Sequence, residues 1–127
     1  MRILVKEADP SLISTPLRVV LQLHGPRAAR ILGIKGTAAR DFQGGFRGTQ
    51  TLYGVGAADR LVRIGLGKRA DLDSARLRRA GAIAAKRAHA QEVSSMILDF
   101  QPEVLTKIGG EEAVRAVAEG CLLGGYQ

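Results

Sequence analysis

The sequence predicts an α/β fold, a mixed β-sheet flanked by helices in a single domain, and three observations predict it. The 127 residues are one domain's length. Short apolar runs of strand length alternate with longer segments whose apolar residues recur at helical spacing. The strongest run, Arg60 to Leu66, breaks at Gly67-Lys68 just before a helix-like segment, the strand-turn-helix order of a layered fold.

Residues 1–6 read as the first strand, and Ala8-Asp9-Pro10-Ser11 as a turn by its Asp-Pro and Ser content. Residues 16–23 form the second strand. Its Leu17, Val19, Val20, Leu21 and Leu23 are nearly continuous, the pattern of a strand covered on both faces. Residues 26–32 predict a short basic helix with Pro26 in its first turn and Gly33 as its stop. Residues 36–48, rich in glycine, read as a loop leading into a strand at 49–53. Residues 54–59 supply the turn before the strand at 60–66, and these two strands are expected to pair as neighbours.

Residues 72–90 predict the long helix, capped by Asp73 or Ser74. At about 100° per residue, Leu77, Ala80, Gly81, Ala84 and Ala88 share one face, with Arg76, Arg78, Arg79, Lys86 and Arg87 off it. That face is almost all small, so the helix is expected to lie flat over strand 60–66 with Gly81 at the contact. A strand at 93–100 follows. The last helix opens at Gly110, with Glu111 and Glu112 at its positive end and an inward face of Ala113 or Val114, Val117, Ala118, Cys121 and Leu122.

Composition excludes several classes. With 46% hydrophobic and 24% charged residues, the chain has a globular balance, and no apolar run approaches the roughly 18 residues of a membrane span. Lys6 and Glu7 end the first apolar run, which is too short for a signal peptide, so a cytoplasmic location is expected. Cys121 is the single cysteine and forms no intramolecular disulfide; its neighbours at helical spacing predict a buried, reduced thiol.

The net charge of +7 is unevenly spread. Residues 1–90 hold 17 Lys and Arg against 6 acids, a net of +11, while residues 91–127 hold 2 against 6, a net of −4. This favours anionic partners in general. Yet the cations lack aromatic interleaving, with only three Phe and two Tyr in the chain, so a solvated basic face, or one that meets an acidic surface in an assembly, explains them better than base stacking.

No motif supplies catalysis. A Walker loop ending at Lys68 would need Gly at position 62 and Ser or Thr at position 69, where the chain has Val62 and Arg69. The run Gly54-x-Gly56-x-x-Asp59 lacks the third glycine of a dinucleotide fingerprint and precedes a strand rather than a helix. Lys68 and Arg69 stand where α/β folds often bind ligands, but a tight glycine turn with solvated cations accounts for them. His24 and His89 are 65 residues apart with no Cys or carboxylate at ligand spacing, and no Gly-x-Ser-x-Gly elbow occurs. Asp71 with Asp73, and Glu111 with Glu112, read as helix starts, and Ser94-Ser95 has no evident base. The residues therefore yield no catalytic, cofactor-binding or metal-binding candidate.

Four segments in order, Asp41-Phe42 with its glycines, Arg60 to Lys68 ending Gly-Leu-Gly-Lys, the Ala-rich Leu77 to Ala88, and Ala118 to Tyr126, resemble the N-terminal domain of the leucine aminopeptidase (cytosol aminopeptidase) family. The resemblance implies a macro-domain-like α/β fold for residues 1–127 and a non-catalytic role in folding, assembly and regulation. It also implies that the catalytic domain, with its two divalent metals, zinc or manganese, is absent from this chain. No position here matches that domain's metal-binding or signature residues. The implied partners are the chain's own catalytic domain and a homo-oligomer, a hexamer in the parent enzyme. Two other readings stay open at this point: a stand-alone macro-like module that binds ADP-ribose or a nucleotide through the glycine loops at Gly33 to Gly36 or Gly44 to Gly48, and a basic DNA-binding module. Leu122, Leu123 and Tyr126 are expected to leave apolar surface exposed.

Overall fold

A computed structural model of the chain describes residues 2–4, 15–53, 58–93 and 95–125. The turn at 8–11, residues 54–57, Ser94 and Tyr126 lie outside the described residues. The elements in order are β1 (Arg2–Leu4), β2 (Thr15–Gln22), α1 (Arg27–Leu32), α2 (Gly36–Asp41), β3 (Thr49–Tyr53), β4 (Ala58–Gly65), a 3-10 turn (Arg69–Asp71), α3 (Ser74–Ala90), β5 (Ser95–Phe100), α4 (Pro102–Ile108) and α5 (Gly110–Gly125). The strands form one sheet in the order β1-β5-β2-β4-β3. Neighbours pair in parallel except β3, which runs antiparallel to β4 at the edge. The expected pairing of the strands at 49–53 and 60–66 is this β3–β4 contact.

Register decides which side chains share a face, because strand side chains alternate. Val19 pairs with Val62 and Leu98, and Leu21 with Ile64 and Phe100. These residues join Leu17, Met96, Leu77, Ala80, Ala84, Val117 and Cys121 in the main apolar core. Val20 pairs with Arg63 and Asp99, Arg18 with Leu61 and Ile97, and Arg63 with Gln50. The opposite face of the same sheet is therefore polar at several positions, yet Arg18, Gln22, Leu61 and Arg63 on it are buried.

Helix α3 shares the apolar core with β4 and β2, but its closest approach, at Gly81, is to α5. Glycine allows this approach from both sides: a Cβ built at Gly81 would fall on the carbonyl of Val117, one at Gly120 on the carbonyl of Arg78, and one at Gly124 would sit 2.6 Å from the oxygen of Ala82. Small residues on α3 do bring a neighbour close, but that neighbour is a helix, because α5 offers glycines at the matching positions. The same contact sets the buried face of α5. Ala113, Ala116, Val117, Gly120, Cys121 and Gly124 point inward, whereas Leu122 is 59% exposed. Its glycines, not its largest apolar side chains, mark the seam.

Two helices differ from the sequence reading. Residues 36–41 are helical rather than loop. Thr37-Ala38-Ala39-Arg40 is a helix-competent run, and the glycine density that suggested a loop begins only at Gly44. Helix α4 is an element the sequence pattern does not predict, although Pro102 at its start, Glu103 in the first turn, Lys107 in the last and Gly109 at its C-cap are all start and stop signals. Elsewhere the punctuation holds. Gly33 closes α1 in the left-handed region at φ 74°, and Asp73, not Ser74, caps α3 by accepting from the Arg76 N–H at 2.9 Å.

Candidate functional site

In open α/β sheets the ligand crevice lies beyond the carboxyl ends of the strands. Here those ends are Gln22 of β2 and Gly65 of β4, and the chain's own segment 42–48 lies across them. The Gly25 N–H donates to the Gln43 carbonyl at 2.7 Å, Gly67 N–H to Gly44 at 3.0 Å, Arg47 N–H to Gly65 at 3.0 Å and Gly65 N–H to Gly48 at 2.9 Å. Contact is so close that a Cβ at Gly65 would land on the Gly45 carbonyl, and one at Gly44, whose φ is 91°, would sit 2.6 Å from the Leu23 oxygen. From outside, Arg76 fastens the strap: its Nη1 donates to the Leu66 carbonyl at 3.0 Å and its guanidinium lies 4.1 Å from the centre of the Phe46 ring. On the far side the Gln101 side chain accepts from the Leu23 N–H at 2.9 Å.

This geometry answers the glycine-loop reading. A loop that cradles phosphate offers free backbone N–H groups to the ligand. The Arg47 N–H donates to the Gly65 carbonyl of β4 and the Gly48 N–H to the Gly45 carbonyl within the strap, and those of Gly33 and Ile34 close the end of α1 on Arg30 and Ala29. Lys68 and Arg69 are exposed beside it, at a turn where Gly67 takes φ 79°, and the Lys107 ammonium donates to the Arg69 carbonyl. They are the solvated cations of a tight turn.

Next to the strap, on the polar sheet face, lies a group that the sequence reading did not assemble. Arg63 is fully buried. Its Nε donates to Gln22 Oε1 and its Nη1 to Gln50 Oε1, both at 2.7 Å, and the Phe42 ring stacks at 4.8 Å. Gln50 is itself held by its amide donating to the Ala38 carbonyl of α2 at 2.8 Å. Burial lowers the Arg63 pKa from its ordinary value. One strand over, Arg18 pairs with Asp99 at 2.5 Å. The visible signal was a lone arginine between Val62 and Ile64; what the sequence withheld was the pairing that sets Gln22 and Gln50 beside it.

Elsewhere, Glu112 and Cys121 have shifted pKa values with local causes. Glu112 accepts from Arg115 and from the Ser74 hydroxyl, and the Arg115 bond, then the Ser74 bond, hold its carboxyl below the usual range. Cys121 is buried, and desolvation pushes its thiol up to about 11. His24 and His89 are exposed. Among the described residues no three of His, Cys, Asp and Glu come together to hold a metal ion. Among the described residues no helix is long and apolar enough to cross a membrane.

Residues 34–127 match the model of the cytosol aminopeptidase family, N-terminal domain. The chain belongs to this family. The matched span begins just after α1 and takes in the strap, β3, β4 and the α3–α5 pair. Over 75 residues, 59% of the chain, it is 32% identical to a probable cytosol aminopeptidase of Persephonella marina (strain DSM 14350 / EX-H1), and that alignment covers 15% of the relative's length. The chain thus corresponds to a small share of this relative.

Proposed function

We propose that this chain is the non-catalytic N-terminal domain of a cytosol aminopeptidase, macro-domain-like in fold, whose work is to support and assemble a catalytic domain. The observation that carries this reading is the family match over residues 34–127 to an N-terminal domain. Two features support it. The carboxyl ends of β2 and β4 are covered by the chain's own strap, and Gln22, Gln50 and Arg63 beneath it bond to one another. In the whole enzyme the catalytic domain would carry two divalent metals, which activate water and polarise the peptide carbonyl to release N-terminal residues. That enzyme would be a cytoplasmic hexamer. Leu122 and Leu123, 59% and 66% exposed on α5, offer apolar surface for contact with the catalytic domain.

The test is an assay of the pure chain on a leucine amide with zinc or manganese, together with the mass of the native protein recognised by an antibody to this domain. No turnover, and a native band far above 13.5 kDa, are expected; metal-dependent turnover by the chain alone overturns the reading. A second reading, duplex DNA binding, draws on Arg30, Lys35, Arg40, Arg47, Lys68 and Arg69, which are exposed and outside every ion pair among the described residues. It requires retention on DNA that falls steeply as salt rises; retention that ignores salt counts against it.

A further inference from the structure

We propose that two copies of this chain join through the outer edge of β3, strand against strand, about a two-fold axis centred on Thr51. β3 closes one side of the sheet and pairs there with β4 alone. In an antiparallel pair the residues alternate: one bonds its partner through both backbone groups, and the next turns both away. The Gly65 N–H donates to the Gly48 carbonyl at 2.9 Å, one step before the Thr49–Ile64 pair in this register. Gln50 and Leu52 therefore bond β4, while Thr49, Thr51 and Tyr53 turn their N–H and C=O groups outward. The other side of β4 fixes the same alternation, since the Leu66 N–H donates to the Gln22 carbonyl of β2 at 2.8 Å. Among the described residues nothing bonds the outward backbone groups; the Arg87 contact with Thr49 goes to its hydroxyl.

The strand itself selects a second copy as the occupant. Proteins commonly block an open edge with Lys or Pro, yet Thr49-Gln50-Thr51-Leu52-Tyr53 has no charge and no proline in a chain of net charge +7. Two copies can meet here without setting like charges opposite each other. The outward residues are spaced symmetrically about Thr51, so an axis normal to the sheet puts Thr51 opposite Thr51 and Thr49 opposite Tyr53, each pair exchanging N–H···O=C bonds in both directions. All three side chains lie on the α3 face of the sheet, where Arg87 holds the Thr49 hydroxyl at 2.7 Å and Tyr53 is 71% exposed. Pairing lays the Tyr53 ring against a β-branched threonine, a favourable cross-strand pair, and runs the two sheets into one across the axis.

Sedimentation equilibrium of the 127-residue chain tests this, carried to millimolar concentration because one strand pair makes a narrow interface. The mass is expected to rise from 13.5 kDa toward twice that value. Thr51→Lys and Thr51→Glu each set like charges opposite each other at the axis and should weaken association by about tenfold or more. An equimolar mixture of the two variants should restore it, because opposite charges then face each other. Hydrogen exchange on the wild type depends on no variant folding: the Thr49, Thr51 and Tyr53 amides should slow as concentration rises, whereas those of Gln50 and Leu52, already bonded to β4, should not change. A wild type that stays at 13.5 kDa, variants that associate as tightly as wild type, a mixture no tighter than either variant alone, or slowing without this alternation overturns the proposal. None of these outcomes bears on the aminopeptidase-domain reading, which the turnover assay tests separately.

Discussion

The two faces of the sheet contrast sharply although the same strands build them. On one, Val19, Leu21, Val62 and Ile64 meet α3 and α5 through apolar side chains alone, and helix approach is set by glycines at 81, 120 and 124. On the other, Arg18, Gln22 and Arg63 are equally withdrawn from water but are held by directed bonds to Asp99, Gln50 and one another. The apolar face tolerates approximate chemistry but no added volume. The polar face tolerates changes of volume better than the loss of one partner from a pair, because an orphaned buried donor costs more than the bond it leaves.

The sharpest way to break this contrast is to add volume at the seam. Gly120→Val should destabilise by more than about 3 kcal/mol, since its side chain would meet the Arg78 backbone, which cannot rotate away. Gly81→Ala should also destabilise, although alanine is the better helix former by about 1 kcal/mol, and urea titration checks both. Removing volume from the apolar side comes next: Leu77→Ala, at a fully buried position, should cost about 3 kcal/mol by the same measurement.

On the polar face the outcome should depend on partners. Gln22→Leu alone is expected to cost about 2 kcal/mol because it strips Arg63 Nε of its acceptor. The double variant Gln22→Leu/Arg63→Leu should recover most of that loss, as buried ionic groups replaced together by apolar ones are often neutral. A double-mutant cycle with additive costs would contradict the distinction between the faces. The smallest effect is in the pH profile. The buried Cys121 thiol titrates at about 11 rather than 9.0, so the folded state holds the proton more tightly. The resulting stabilisation is complete below pH 9 and lost as pH rises through 11. Cys121→Ala should flatten the fall in stability across that window relative to wild type.

Much of this molecule was legible before folding was considered. β2, β3, β4 and β5 stand out because β-branched and apolar runs have strand length, and α3 because its small residues repeat at helical spacing. Asp73 and Gly33 mark their boundaries for a local reason: a cap or a left-handed turn involves only residues a few positions apart. The short helices α2 and α4 were harder to read. Gly36 and the nearby glycines masked the first, and a seven-residue helix has too few turns to display a period.

What the sequence by itself determined, then, is local: the element types, their ends, the layered class, and family membership through the order of short motifs such as Gly65-Leu66-Gly67-Lys68. Only the tertiary structure decided what those elements meet. It turned Gly81 toward α5 rather than β4, laid segment 42–48 over the strand ends where a ligand crevice would open, and brought Gln22, Gln50 and Arg63 together from three strands. The physical reason is that burial pattern and capping are properties of neighbouring residues, whereas a partner is set by strand register and close approach between segments far apart in the chain, for which a single glycine or a lone arginine gives no direction.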